Sequence, residues 1–210
     1  MRIAIIGAGN VGSALGSTWL ESGEDVVYGV PDPADPKYRS LPKERLNTPL
    51  EAARDAQVIV LATPWQATEA AVKSLGDLSG KILIDCTNPL QMGPDGLELA
   101  LGYDRSGGEQ VAAWGNGAAV FKTLNQTGAE NMANAARYPI RPVMFVAGDD
   151  EPNKPVVLSL VAKLGFEAID AGPLRIARLL EPYGMLWIDQ ALSRGRGRSF
   201  AFALTERSPQ

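Results

Sequence analysis

The sequence predicts a doubly wound α/β fold: a mainly parallel sheet covered by helices on both faces, followed by a C-terminal helical segment. Three observations predict it. Short, fully apolar, β-branched runs alternate with stretches at helical spacing, as strands buried on both faces and their crossover helices do. The first run stops at glycines spaced G-x-G-x-x-G, Gly7 to Gly12. From Leu174 onward the chain changes character and is apolar on nearly every side of a helix.

Taken in order, Arg2 to Ile6 is an apolar run closed by glycine, a buried strand. Asn10 to Ser22 carries Val11, Leu15, Trp19 and Leu20 at helical spacing and is closed by Gly23. Asp25 to Gly29 is the second strand, and Pro31 to Pro36 a rigid loop. Leu50 to Ala56 is a short helix, Gln57 to Ala62 a third strand, and Gln66 to Leu75 a helix. Lys81 to Cys86 is the fourth strand, ended by Thr87-Asn88-Pro89. Gly93 to Gly108 is glycine-rich and weakly patterned, and reads as a surface loop, at most with a short helix. Ala118 to Leu124, Val143 to Ala147 and Phe166 to Asp170 add strands, with a helix over Glu151 to Leu164. Pro182 inside Leu174 to Leu192 makes that stretch a kinked helix or a helix pair. The expected organisation is one dinucleotide-binding domain, residues 1–172, and a segment, residues 173–210, that completes the pocket.

Composition narrows the chemistry. The 210 residues include no histidine and a single cysteine, Cys86. Histidine-based triads and histidine-ligated metals are therefore out. So are internal disulfides and cysteine-rich metal clusters. Cys86 lies on a predicted buried strand and reads as an inert core thiol. A net charge of −4 gives no argument for nucleic acid or an anionic membrane. No apolar run approaches the roughly 18 residues of a membrane span. With no signal-peptide core and no disulfide framework, the expected compartment is the cytoplasm.

The glycine motif follows a predicted strand and opens a predicted helix, the context a Rossmann dinucleotide fingerprint requires. Gly7 makes the tight turn, Gly9 lets backbone approach a pyrophosphate, and Gly12 lets helix and strand pack closely. Asn10 and Val11 lie at the helix amino end, whose free N–H groups attract phosphate. About 20 residues on, where an acidic residue would bind the ribose hydroxyls of NAD, stands Asp32. Lys37, Arg39, Lys43 and Arg45 follow and could reach a 2′-phosphate, although each taken alone reads as a solvated surface charge. Thr63-Pro64-Trp65 and Thr87-Asn88-Pro89 close the third and fourth strands, at the sheet edge where such folds bind ligands. Thr63 and Asn88 offer hydrogen bonds to a nicotinamide, Pro64 fixes the loop, and Trp65 offers a flat wall. Asn125 follows a later strand with the same logic. Arg194, Arg196 and Arg198 alternate with glycine and read as an unorganised solvated loop.

The set RIAIIGAGNVGSALG, VVYG, ATPW, DCTNPL, KTLNQTGAENM and DAGPL, in this order, resembles the family of NADPH-dependent oxidoreductases of the deazaflavin coenzyme F420. That family is related to the cytosolic reductase half of the STEAP metalloreductases. The resemblance implies hydride transfer between NADP(H) and F420, with NAD in place of NADP and a flavin in place of F420 kept as alternatives. It also implies a homodimer built partly by the C-terminal helices. Where the family has a Ser-Arg pair for the 2′-phosphate, this chain reads Val30-Pro31, so Val30 and Asp32 are the residues expected beside the ribose. Catalysis in such an enzyme is positioning: ring carbons held about 3–3.5 Å apart, with the electronics supplied by the cofactors. Two alternatives stand beside it. One is reduction of a flavin, an imine or a small carbonyl, the last needing a proton donor such as Lys122 or Tyr183. The other is a non-enzymatic dinucleotide-binding sensor, which the same fold permits.

Overall fold

In the computed structural model, which describes residues 1–115 and 117–207, the chain forms an eight-stranded sheet with helices on both faces. Strand β1 (Arg2–Ile6) leads into helix α1 (Asn10–Glu21), then β2 (Asp25–Gly29) and the two-residue β3 (Leu46–Asn47). Helix α2 (Pro49–Arg54) starts on a capping box. Thr48 accepts from Glu51 N–H while the Glu51 carboxylate accepts from Thr48 N–H. Next come β4 (Val58–Leu61), α3 (Trp65–Lys73) and β5 (Ile82–Asp85). Period-2 alternation divides the core between the two faces. Ile3, Ile5, Val58 and Val60 pack under α1, with Leu15 and Trp19, while Ala4, Ile6, Ile59 and Leu61 face α2 and α3.

The segment Gly93 to Gly108, read as a loop with at most a short helix, holds part of a hairpin and the start of a helix. Strands β6 (Leu90–Gly93) and β7 (Gly96–Leu99) form an antiparallel hairpin of their own. Its turn is Pro94-Asp95, and Gly96, the first residue of β7, sits at φ 120°, a conformation only glycine adopts freely. Helix α4 (Gly107–Trp114) follows, with Ser106 as its N-cap accepting from Glu109 N–H. Two glycines in the first turn disguised this helix.

Strand β8 (Ala119–Lys122), the short helix α5 (Ala129–Met132), β9 (Val143–Gly148), α6 (Lys154–Lys163) and β10 (Glu167–Gly172) complete the sheet. Its order is β10-β9-β8-β5-β4-β1-β2-β3. Every neighbouring pair is parallel except β8–β9. The carboxyl ends of β9 and β10 therefore point away from those of the parallel strands. The chain reverses direction across the sheet between β1 and β4, and the crevice at that point is where doubly wound folds bind ligands.

After a 3₁₀ turn at Leu174–Ile176, helix α7 (Ala177–Ile188) contains Pro182 and runs into a π turn at Asp189–Ser193. The helix is continuous rather than a pair, and Leu179 and Leu186 remain exposed. The arginine loop is organised, contrary to the sequence expectation. Arg194 pairs with Asp189 at 3.2 Å and Arg198 with Glu130 at 2.8 Å, and Arg196 lies over Phe200. Glycines supply turns here, and partners outside the loop order the arginines. The tail then closes on the core: Trp187 Nε1 donates to Phe200 O, and Val143 N–H donates to Phe202 O.

Candidate functional site

Backbone crowding decides which glycine does what. Gly7 sits at φ 101°, its N–H donates to Gly29 O, and a Cβ there would stand 2.7 Å from Ala62 O. A Cβ on Gly12 would stand 2.0 Å from Gly7 O. Both are closed to larger residues. Gly9 is the opposite: a Cβ there meets nothing within 4 Å. Gly9 is the N-cap of α1 and no side chain caps it. The first helical bond runs from Ser13 N–H to Gly9 O, so the N–H groups of Asn10, Val11 and Gly12 have no intrahelical acceptor. An open space facing uncapped N–H groups is what a dinucleotide pyrophosphate requires.

Beside this loop lies a cleft of about 430 Å³ at the carboxyl ends of β4 and β5. Val11, Ala62, Thr63, Pro64, Trp65, Thr87 and Asn88 line its inner side; Leu90, Met92 and Leu97 of the hairpin line its outer side. Thr63 Oγ1 is 3.0 Å from Thr68 Oγ1, and Thr68 Oγ1 lies 3.1 Å from Pro64 O, so the turn is locked from within α3. The Trp65 ring is backed by Trp114, with centroids 5.5 Å apart. Gln66 Nε2 donates to Leu90 O and fastens the hairpin over the cleft. Cys86 also lines it, but burial, reinforced by the Asp85 charge, pushes its thiol well above the usual range, so it stays a thiol.

Asn88 and Asn125 do meet. Asn88 Nδ2 donates to Asn125 O at 2.9 Å, and Asn125 Nδ2 donates to Asn88 Oδ1 and to Leu180 O, each at 3.0 Å. Asn125 is buried and does not line the cleft; it braces Asn88 against α7. The preceding Leu124 takes φ 59°, an uncommon value for a branched residue, and this turn brings Asn125 to that contact.

Val30 and Asp32 lie apart from the cleft. Val30 is fully buried and its N–H donates to Asn47 O. Asp32 Oδ1 accepts from Ala34 N–H in its own turn. Of the basic residues, Lys37 pairs with Asp35 at 2.8 Å and Arg45 is held by Val26 O and Asp25. Arg39 and Lys43 line a separate hollow of about 580 Å³ with Pro33 and Tyr38.

Sequence reasoning missed a buried ion cluster directly behind the cleft. Lys122 and Asp85 are each 0 % exposed and Glu181 2 %. Lys122 Nζ donates to Asp85 Oδ2 at 2.9 Å, to Thr87 O at 2.6 Å and to Glu181 Oε1 at 3.0 Å. Burial alone would lower the lysine pKa, but the two carboxylates outweigh it and the net shift is upward. All three ammonium protons are engaged, so Lys122 is not a proton donor to a substrate. Tyr183 packs between Phe145 and Phe202, with burial pushing its phenol up to about 12. The available signal was two apolar strands ending in opposite charges, since Asp85 and Lys122 are direct neighbours in the β5–β8 register.

Comparison with known proteins agrees with this geometry. Residues 2–89 match the family model described as NADP oxidoreductase, coenzyme F420-dependent. The F420-dependent NADP reductase of Methanothermobacter marburgensis is 29% identical over 206 residues, covering 90% of this chain and 92% of that protein. The metalloreductase STEAP3 of Rattus norvegicus is 27% identical over 181 residues, covering 86% of this chain and 36% of that protein. A crystal structure of a candidate F420-dependent NADP-reductase from Arthrobacter sp. FB24 superposes with a TM-score of 0.89 at 30% identity, covering 98% of this chain and 100% of that one. With the glycine loop, the switch-point cleft and a relative matched from end to end, the chain belongs to the family of coenzyme F420-dependent NADP oxidoreductases.

Proposed function

We propose that this protein catalyses hydride exchange between NADP(H) and the deazaflavin F420, acting by positioning. One observation carries the reading: no carboxylate, ammonium, guanidinium or phenol lines the cleft among the described residues, only amides, hydroxyls, apolar groups and an inert thiol. Reduction of a carbonyl usually uses a protein acid, and none lines the cleft among the described residues. Exchange between two carriers does not, because NADPH supplies the hydride, a deazaflavin ring carbon accepts it, and water supplies the proton that the reduced ring takes up.

In this reading Gly7, Gly9, Asn10, Val11 and Gly12 hold the pyrophosphate. Thr63, Pro64 and Trp65 form one wall of the nicotinamide pocket and Asn88, braced by Asn125, the other. The apolar hairpin residues exclude water on the outer side. Val30 closes the floor near the ribose and Asp32 shapes the turn beyond it. Neither Arg39 nor Lys43 pairs with a carboxylate among the described residues, which leaves them as the cations for a 2′-phosphate. Residues 1–172 form the dinucleotide-binding domain, and residues 173–210, of which 208–210 lie outside the described residues, complete the pocket from behind through α7, whose exposed leucines pair two copies. The test is to titrate NADH and NADPH separately, then offer F420, flavin, imine and carbonyl acceptors with the better donor. NADPH should bind more tightly and bleach F420. Turnover with a flavin, an imine or a carbonyl but not with F420 would overturn the reading.

A further inference from the structure

Both inner walls of the cleft hang from one carboxylate that does not touch the cleft. Glu181 lies on α7, buried behind the site. Its Oε2 accepts from Gly107 N–H at 2.9 Å, and its Oε1 accepts from Gly108 N–H at 3.0 Å. Oε1 is also 3.0 Å from Lys122 Nζ. Through Lys122 the carboxylate reaches the first wall, because the same ammonium holds Thr87 O at 2.6 Å. Asp85 fixes the rest of that residue, its Oδ1 accepting from Thr87 N–H and Thr87 Oγ1. Through Gly107 it reaches the second wall. A Cβ built on Gly107 would stand 3.1 Å from Glu181 Oε1 and 3.1 Å from the Trp65 ring. The glycine is thus a thin spacer between carboxylate and indole. The cluster holds one cation and two carboxylates, and the surplus negative charge faces the amino end of α4, where N–H groups favour it.

We propose that Glu181 is a positioning residue for the reaction, setting the Trp65 face and the Thr87–Asn88 edge at a fixed separation. It touches no reacting atom and acts through Lys122 and the first turn of α4. The inference rests on the reading that this cleft takes the nicotinamide. It also gives the C-terminal segment a specific role, since α7 supplies the group that spaces the pocket formed by the sheet.

Glu181→Gln tests it with little change in volume. The carboxylate accepts three bonds through two oxygens, and a glutamine amide nitrogen accepts none. Whichever way the amide turns, at least one of Gly107 N–H, Gly108 N–H and Lys122 Nζ loses its acceptor. Single-turnover hydride transfer from NADPH to F420 should slow by about tenfold or more, since sub-ångström misplacement at the reacting centre is costly. The Kd for NADPH should stay within about twofold, because the pyrophosphate contacts of the glycine loop are untouched. In the protein without ligands, hydrogen exchange should quicken at Gly107 and Thr87 and not in α6. Arg178→Gln is the control. It breaks the other α4–α7 tie, the bidentate pair with Glu109, and should cost stability without slowing transfer per folded molecule. If Glu181→Gln does not fold, Glu181→Asp takes its place, keeping the charge but withdrawing it by one methylene, with the same expected split. A variant that transfers hydride at the wild-type rate, or slows only in proportion to weaker NADPH binding or to the Arg178→Gln control, overturns the proposal. If wild type binds NADPH but does not reduce F420, the functional reading fails while this one is judged on bound-nicotinamide emission: a change in Glu181→Gln supports it, and an unchanged spectrum overturns it.

Discussion

At the scale of the residue, the three glycines of one motif divide between two physical duties, and the difference is measurable. Gly12 is closed by backbone, with Gly7 O 2.0 Å from where its Cβ would be. Gly12→Ala must move the β1–α1 turn, an overpacking cost of about 1–3 kcal/mol, visible as a lowered midpoint in thermal melting. Gly9 has no such neighbour and an ordinary negative φ of −77°. Gly9→Val should therefore fold, losing about 1 kcal/mol at the helix cap, and should abolish NADPH binding by filling the space before the uncapped N–H groups. Undiminished binding in a fluorescence titration would remove the glycine loop from the site. These roles were legible in the sequence because strand, glycines and helix are contiguous. The Lys122–Asp85–Glu181 cluster was not, because its members stand on two strands and a late helix that only the folded sheet brings together.

Elements show a similar division. The strands with buried faces were readable as apolar runs, since both faces of the sheet are covered. Helix α4 was obscured because Gly107 and Gly108 weaken its helical pattern, although Ser106 and Glu109 form a start signal. The glycines are required there by close packing on Trp65 and Ala177, so tertiary contact overrode local propensity. Ser106→Ala should lower stability by about 1 kcal/mol in chemical denaturation. Elsewhere an ionic tie joins three elements. Glu24, in the turn between α1 and β2, pairs with Lys163 of α6 and with the N-terminal amine that precedes β1. The Lys163 ammonium, then the N-terminal amine, hold its carboxyl below the ordinary 4.5, against the opposing effect of burial. A depressed carboxylate pKa stabilises the fold above the unfolded value, and this contribution fades as pH falls through the folded one. Glu24→Gln should therefore flatten the loss of melting temperature on acidification below about pH 4.5; a wild-type acid limb in the variant would show that the tie is idle.

For the molecule as a whole, the parallel strands and the inverted pair serve separate ends. The parallel strands β1, β4 and β5 carry their carboxyl ends to one crevice, while the reversal at β9 turns the last two strands away from it. Helix α7 then returns behind the cleft, where it anchors the cluster and leaves Leu179 and Leu186 exposed. No helix among the described residues is long and apolar enough to cross a membrane. If those leucines join two copies, sedimentation should give about twice the chain mass, and Leu186→Glu should give a monomer, because a buried, unpaired charge at an apolar interface is strongly disfavoured. A wild-type monomer would leave that face without a role. The central claim is direct hydride exchange between two bound carriers, and isotope transfer tests it most directly. With NADPH deuterated at the transferable position and F420 in ordinary water, the deuterium should appear on the ring carbon of the reduced deazaflavin. Reduced F420 carrying only solvent hydrogen there would contradict the account.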